Sequence, residues 1–453
     1  MRSRLADGDL RLFRWVRVRE FAVPPSMIET ATARRAVGDW AGACAAARFD
    51  VDLDLRAVAR VHGWELAALV RADLRHLAPD LLRWHLPRTA PAGLLRPGLT
   101  VGLARYPSGQ QLVVRTAPAW ADAGQRISLA LWDGGFDRAG PRPDRVGRRR
   151  RAALTAAGPF PCAGGRPDHA GLHPHPRPDR RFRLDLHRHL WDVRRVGELG
   201  ERSGAATWRP SWCGRATHRW AAEAAILRAA AGRPDARVIV RAAARRLALE
   251  PDDPVPRPCP GPLRQSLVLP DAATWVLPDL ELLGAGLIEP GRLHPLVAAA
   301  IAPAGWGPAG RARGGCAATD PAGVRLVDCR GARHRIGVVG GVLSALDHDP
   351  VELRREAALI ALGGEPLPCL RAIDLAGREP AELDDVRGRL EHGDTAGALA
   401  VVEGLLGAAA VLPDGPLRDE LDRAARRRVT YGLYRAGLAG RGPFKTLPTA
   451  LRR

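Results

Sequence analysis

The sequence predicts an α+β fold, predominantly helical, with helical hairpins at both ends, small antiparallel β-sheets between them and a disordered Arg/Pro-rich insert. Three observations predict it. Apolar residues recur at helical spacing, broken by Gly-Asp pairs, over 26–87 and again over 347–440. Short period-two runs occupy 99–132 and 324–346, and residues 136–181 carry few apolar side chains among many Arg, Pro and Gly.

Taken in order, residues 1–25 are a basic leader ending in Pro24-Pro25, readable as a strand or as an over-extended start. The helical domain spans 26–97. Ser26 and Glu29 have the spacing of a capping box, Gly38 ends the first helix, and Asp39 and Asp54 are N-caps for helices at Trp40–Ala47 and Leu55–Val61. Gly63 separates the latter from Trp64–His76. A small antiparallel sheet is expected over 98–135, from strands at 99–103, 111–115 and 126–132. Residues 136–181 hold eleven Arg and four Asp and no credible element; they read as a disordered insert or as GC-rich coding sequence out of frame.

A helical segment follows over 182–250, with helices at Leu190–Leu199, Trp220–Ala231 and Ala236–Leu249, and a Pro-rich linker over 251–265. The mixed α/β segment 266–346 contains a hairpin about Arg330-Gly331 and a third strand at Val342–Leu346. The C-terminal helical domain spans 347–440 and opens on Asp349, Pro350 and Glu352; a tail covers 441–453. Gly38-Asp39-Trp-Ala41-Gly42-Ala43-Cys-Ala45 is echoed by Gly393-Asp394-Thr-Ala396-Gly397-Ala398-Leu-Ala400. This is similar to the turn of tetratricopeptide-type hairpins, but no 34-residue period is sustained, so it reads as one hairpin used twice.

The formal charge is +20, yet the chain has no Asn, one lysine (Lys445) and more Trp than Phe or Tyr. That pattern follows GC-rich codons, so the arginine excess records how the gene is written more than a polyanionic partner. Seven widely spaced cysteines, Cys44, Cys162, Cys213, Cys259, Cys316, Cys329 and Cys369, form no C-x-x-C pair. Reduced thiols and a cytoplasmic location are expected, with no membrane span.

With Lys445 the only lysine, no phosphate-binding loop exists; Gly284-x-Gly286 lacks its third glycine, and no Gly-x-Ser-x-Gly elbow is present. Asp50-x-Asp52-x-Asp54 lacks the strand and glycine of a metal loop, so capping by Asp54 is the reading. Val58–Leu69 has helix-turn-helix spacing, but its second helix is mostly apolar and is assigned to the core.

Catalytic residues are unknown at this level, and no cofactor and no cofactor-binding residues are expected. The expectation for metal is also none. Cys316, Cys329, His334 and His348 would supply zinc's ligands, but their gaps of twelve, four and thirteen residues lack the two tight pairs of structural sites.

Leu81-Leu-Arg-Trp84-His85-Leu-Pro87, Leu277-Pro-Asp-Leu-Glu-Leu-Leu283 and Arg333-His334-Arg-Ile336 resemble hypothetical proteins of GC-rich actinobacteria. The resemblance covers most of the chain outside 1–25 and 136–181, and implies no activity. The first functional reading is therefore a non-catalytic scaffold or adaptor with a protein partner. The second is nucleic-acid binding through arginine surfaces, and the third an enzyme with an unrecognised site.

Overall fold

The computed structural model describes residues 11–121, 124–133, 177–208, 214–242, 245–253, 255–259, 266–301, 325–339, 342–361, 367–378, 383–406 and 414–438. It combines helices with small separate sheets, as the sequence predicts, in two compact units: 1–306 with 429–453, and 307–428. The expected insert over 136–181 falls almost wholly outside the described residues, as do the tail and residues 1–10 of the leader.

In the larger unit, residues 11–22 are helical, not extended, and close on a π-turn at Val18–Ala22 that buries Val18, Arg19, Phe21 and Ala22. The next helix is Pro25–Ala36. The capping box expected at Ser26 does not form, because Pro25 already occupies the first helical position, where its missing N–H costs nothing.

At the far end Gly38, with φ +77°, makes a left-handed cap: Asp39 N donates to Arg34 O (2.9 Å) and Gly38 N to Arg35 O (2.9 Å). Asp39 then caps Trp40–Ala46 by accepting from Gly42 N at 2.7 Å. Asp54 caps Leu55–His62 through Arg56 N, as expected. Helices Trp64–His76 and Pro79–His85 follow.

The first sheet contains β1 (Phe49–Val51), β4 (Thr100–Arg105), β5 (Gln111–Thr116) and β6 (Ile127–Trp132), in the order β1-β6-β5-β4; β2 (Arg88–Thr89) and β3 (Leu94–Leu95) pair separately. Strands β4 to β6 are the predicted meander. The short β1 was not expected and adds a parallel edge to β6, Phe49 opposite Ile127. Leu74, Leu81, Leu82, Trp84, Leu103, Leu112, Ile127 and Trp191 are all within 1% of full burial, so helices and sheet share one core.

Two expected helices are corrected. Residues 236–249 form a hairpin, β7 (Val238–Ala242) against β8 (Arg245–Leu249), flanked by β9 (Arg257–Pro258) and β10 (Leu267–Val268). The β-branched run Val238-Ile239-Val240 loses rotamer freedom in a helix and packs well on a pleated surface. Val238 and Val240 pack against Trp220, Ala224 and Leu227 of the helix Trp220–Ala231. Residues 190–199 form tight turns in place of a helix. Asp192 accepts from Arg194 N at 3.1 Å and from the side chains of Arg188 and Arg194, which holds the backbone in a turn.

In the smaller unit, β11 (Arg325–Cys329), β12 (Ala332–Val339) and β13 (Val342–Ala345) form an antiparallel meander. The β11–β12 turn is the predicted pair Arg330-Gly331, both at positive φ (54° and 81°), the conformation a two-residue hairpin requires. Helices Pro350–Ala361, Pro368–Arg378, Leu383–Glu391, Thr395–Leu406 and the start of Pro416–Arg435 follow.

The sequence echo at 393–400 is a structural one. Gly393 has φ +83°, Asp394 N donates to Arg389 O (2.7 Å), and Asp394 accepts from Gly397 N at 3.2 Å. In both copies an arginine five residues back reaches the capping carboxylate, Arg34 at 3.3 Å and Arg389 at 3.2 Å. In both, a Cβ on the glycine three residues on would lie 2.1 Å from that carboxylate, so a side chain there would push the cap out of its present position.

Among the described residues, no helix is long and apolar enough to cross a membrane.

Candidate metal centre

Four side chains of the smaller unit converge: Cys329, His334, His348 and Cys369, whose ligand atoms all lie within 4.8 Å of one another. The hairpin places the first two. Cys329 is directly opposite Ala332, and His334, two residues on, returns to the same face.

His348 is set by the chain leaving β13. Leu346 N extends the ladder to Arg335 O at 2.8 Å, and Asp347 clasps Arg335, accepting from its backbone N at 2.7 Å and from its guanidinium. Those bonds hold the Asp347 carboxyl down at about 2. Asp349 then caps the helix Pro350–Ala361 by accepting from Val351 N at 2.7 Å, so His348 sits just before its first turn. Cys369 lies in the first turn of Pro368–Arg378, which packs on the meander through Cys329, Ile336, Ala345 and Leu367.

The aim of each ring is specific. His334 Nδ1 lies 2.7 Å from His348 Nε2, and His348 Nε2 lies 3.0 Å from Cys369 Sγ. The other nitrogen of His348, Nδ1, faces Glu352 Oε2 at 3.2 Å. Glu352 is in turn paired with Arg330 at 3.0 Å, and Arg330 also reaches Glu356 at 2.7 Å. A carboxylate on the outer nitrogen is the arrangement that orients a ligating imidazole, and here burial is outweighed by Glu352 and Cys329, which hold the His348 ring above its ordinary value.

Burial pushes the Cys369 thiol up, to about 11, with Cys329 beside it adding to the rise. For Cys329 burial works in the same direction, but hydrogen bonding from Cys369 and His348 outweighs it and holds the thiol below its ordinary value. The four inner atoms are all Lewis bases, with no lysine or arginine among them; shared protons or a cation must satisfy them.

The sequence singled out Cys316, Cys329, His334 and His348. The structure brings Cys329, His334 and His348 together; Cys316 lies outside the described residues. Cys369 was missed. Twenty residues separate it from His348, and its only local signal is a Pro-Cys pair opening a helix.

Asp50, Asp52 and Asp54 do not converge. Asp50 is held by Arg126 and Tyr431, Asp52 by Arg435, and Asp54 caps its helix. The described Cys44, Cys259, Cys329 and Cys369 are free thiols.

Neither a protein-family model, nor a curated protein, nor a solved structure matches the chain.

Proposed function

We propose that residues 325–378 form a zinc-holding module with Cys329, His334, His348 and Cys369 as ligands, and that the protein works as a metal-stabilised binding protein. The carrying observation is the convergence of two thiols and two imidazoles, with Glu352 behind His348. Sulfur and imidazole together favour zinc over the oxygen-preferring cations. Four protein ligands would saturate a tetrahedral ion and leave no position for water, so the ion's role is to tie the hairpin to two helix starts. This departs from the sequence expectation of no metal, which rested on spacing alone.

The adaptor reading has support of its own. Val61 and Trp64, either side of the Gly63 corner, are each 73% exposed, and Trp is a frequent anchor of protein contacts.

The test is metal content and cobalt replacement on the full chain. One zinc per chain is expected, and the cobalt form should show the visible and thiolate charge-transfer bands of a tetrahedral two-sulfur site. Protein refolded with zinc that binds none, or that keeps both thiols freely reactive, would remove the proposal.

A further inference from the structure

A cavity of about 400 Å³ in the larger unit is walled by eight arginines, Arg11, Arg14, Arg88, Arg96, Arg181, Arg183, Arg202 and Arg219, and one carboxylate, Asp271. Five of the eight are held by four acids. Arg11 pairs with Glu281, Arg181 with Asp271, Arg183 with Asp185, and both Arg202 and Arg219 with Glu223. Arg88 donates to the backbone carbonyls of Arg83 and Gly93.

Arg14 and Arg96 lie over aromatic rings instead, Arg14 over Trp15 at 5.4 Å and Arg96 over Phe182 at 5.8 Å. Arg14 Nε is buried and has no hydrogen-bond partner. Burial holds the Arg14 guanidinium below its ordinary value, with Arg11 adding to the effect and Glu281, the partner of Arg11, only partly offsetting it. A cation left in that state gains most from an incoming anion.

Two histidines with buried side chains lie on the same wall, each with one ring nitrogen outside any hydrogen bond. His189 is 3% exposed, and its Nδ1 makes no hydrogen bond. His85 directs Nδ1 to Leu190 O at 3.2 Å, while its Nε2 lies 4.0 Å from the buried Asp279 carboxylate, beyond hydrogen-bond reach. Trp15, Phe182 and Trp275 supply flat apolar surface. The volume is that of a small-molecule site.

We propose that this cavity binds a nucleotide-sized organic phosphate. Its phosphate oxygens would lie on Arg14 and Arg96, and its ring or apolar group against the tryptophans and Phe182. Several guanidiniums with few acids select a multiply charged anion over a monocarboxylate. The site is independent of the metal centre.

The probe is ADP in magnesium-free buffer, followed by calorimetry on the full chain, with pyrophosphate and adenosine run separately. ADP should bind more tightly than pyrophosphate, adenosine should not bind measurably, and affinity should fall as salt rises. Arg14→Gln and Arg96→Gln should each weaken ADP by about tenfold or more with an unchanged melting temperature. If ADP and pyrophosphate both fail to bind at millimolar concentration, or if both variants fold and bind as the wild type does, the proposal is overturned.

Discussion

Two buried polar clusters in this protein resolve their charge in opposite ways. In the larger unit Asp279, fully buried, accepts from Arg19 Nε (2.9 Å), Arg19 Nη2 (2.7 Å) and Trp84 Nε1 (3.0 Å), while Arg19 also donates to Trp84 O at 2.8 Å. Nearby, Asp80 meets His294 Nε2 at 3.1 Å. Around Asp279 the acceptors are matched to donors, one cation to one anion, by the chain itself. Cys329, His334, His348 and Cys369 instead gather two thiols and two imidazoles within 4.8 Å with no lysine or arginine among them. The difference teaches how to read a buried polar group. Where donors and acceptors balance, the group is part of the scaffold; where soft donor atoms crowd together without a cationic side chain, shared protons or a bound cation must satisfy them.

The largest test of this contrast is metal removal. A strong chelator, or Cys369→Ala, should unfold the meander of the smaller unit, since zinc binding at such sites is on the order of 10 kcal/mol, comparable with the whole stability of a domain. Hydrogen exchange should show lost protection over 325–378 and retained protection over 64–86. Unchanged protection over 325–378 would place both clusters in the self-sufficient class.

Asp279→Ala comes next. It strands Arg19 in the core, and breaking a buried pair from one side costs about 3–5 kcal/mol. Urea unfolding should show it, and metal content should not move. A cost below about 1 kcal/mol would mean that water reaches Arg19.

The third test uses pH. Burial lowers the His85 ring to about 4, from an ordinary value near 6.5, with its side chain 3% exposed. The folded state therefore holds the neutral ring and binds fewer protons than the unfolded chain. Its contribution is present above about 6.5 and is lost as pH falls toward 4, by about 3 kcal/mol in all. Urea midpoints at pH 7, 5 and 4 should show the decline, and His85→Gln should flatten it. Equal slopes in the two proteins would rule His85 out as the source.

The smallest effect sharpens the metal side. Glu352→Gln keeps the shape but weakens the hold on His348 Nδ1, and should lower zinc affinity about 10- to 100-fold without unfolding the unit. Competition with a chromophoric chelator reads it. An unchanged affinity would make Glu352 a partner of Arg330 alone.

What was legible in the sequence was local. The Arg330-Gly331 turn, the caps at Asp39, Asp54 and Asp394, and the β4–β6 meander each follow from a few adjacent residues. The errors lay where one pattern competes with another. Residues 236–249 satisfy both periods in an Ala- and Arg-rich background, and the β-branched run wins because it pairs with β10 and packs on a helix. At the candidate metal centre, Cys329 and His334 share a hairpin, whereas Cys369 arrives only because a helix folds back onto the sheet. Spacing does not encode that approach.

The twin corners at Gly38-Asp39 and Gly393-Asp394 have a kinetic consequence. Each is shaped by bonds that close within ten residues, Arg34 to Ala43 and Arg389 to Ala398. Closing so short a loop costs little chain entropy and takes well under a millisecond. The Asp80–His294 bond, by contrast, must bring together residues 214 apart. Chain entropy therefore opposes closure of either corner far less than it opposes the long-range contacts.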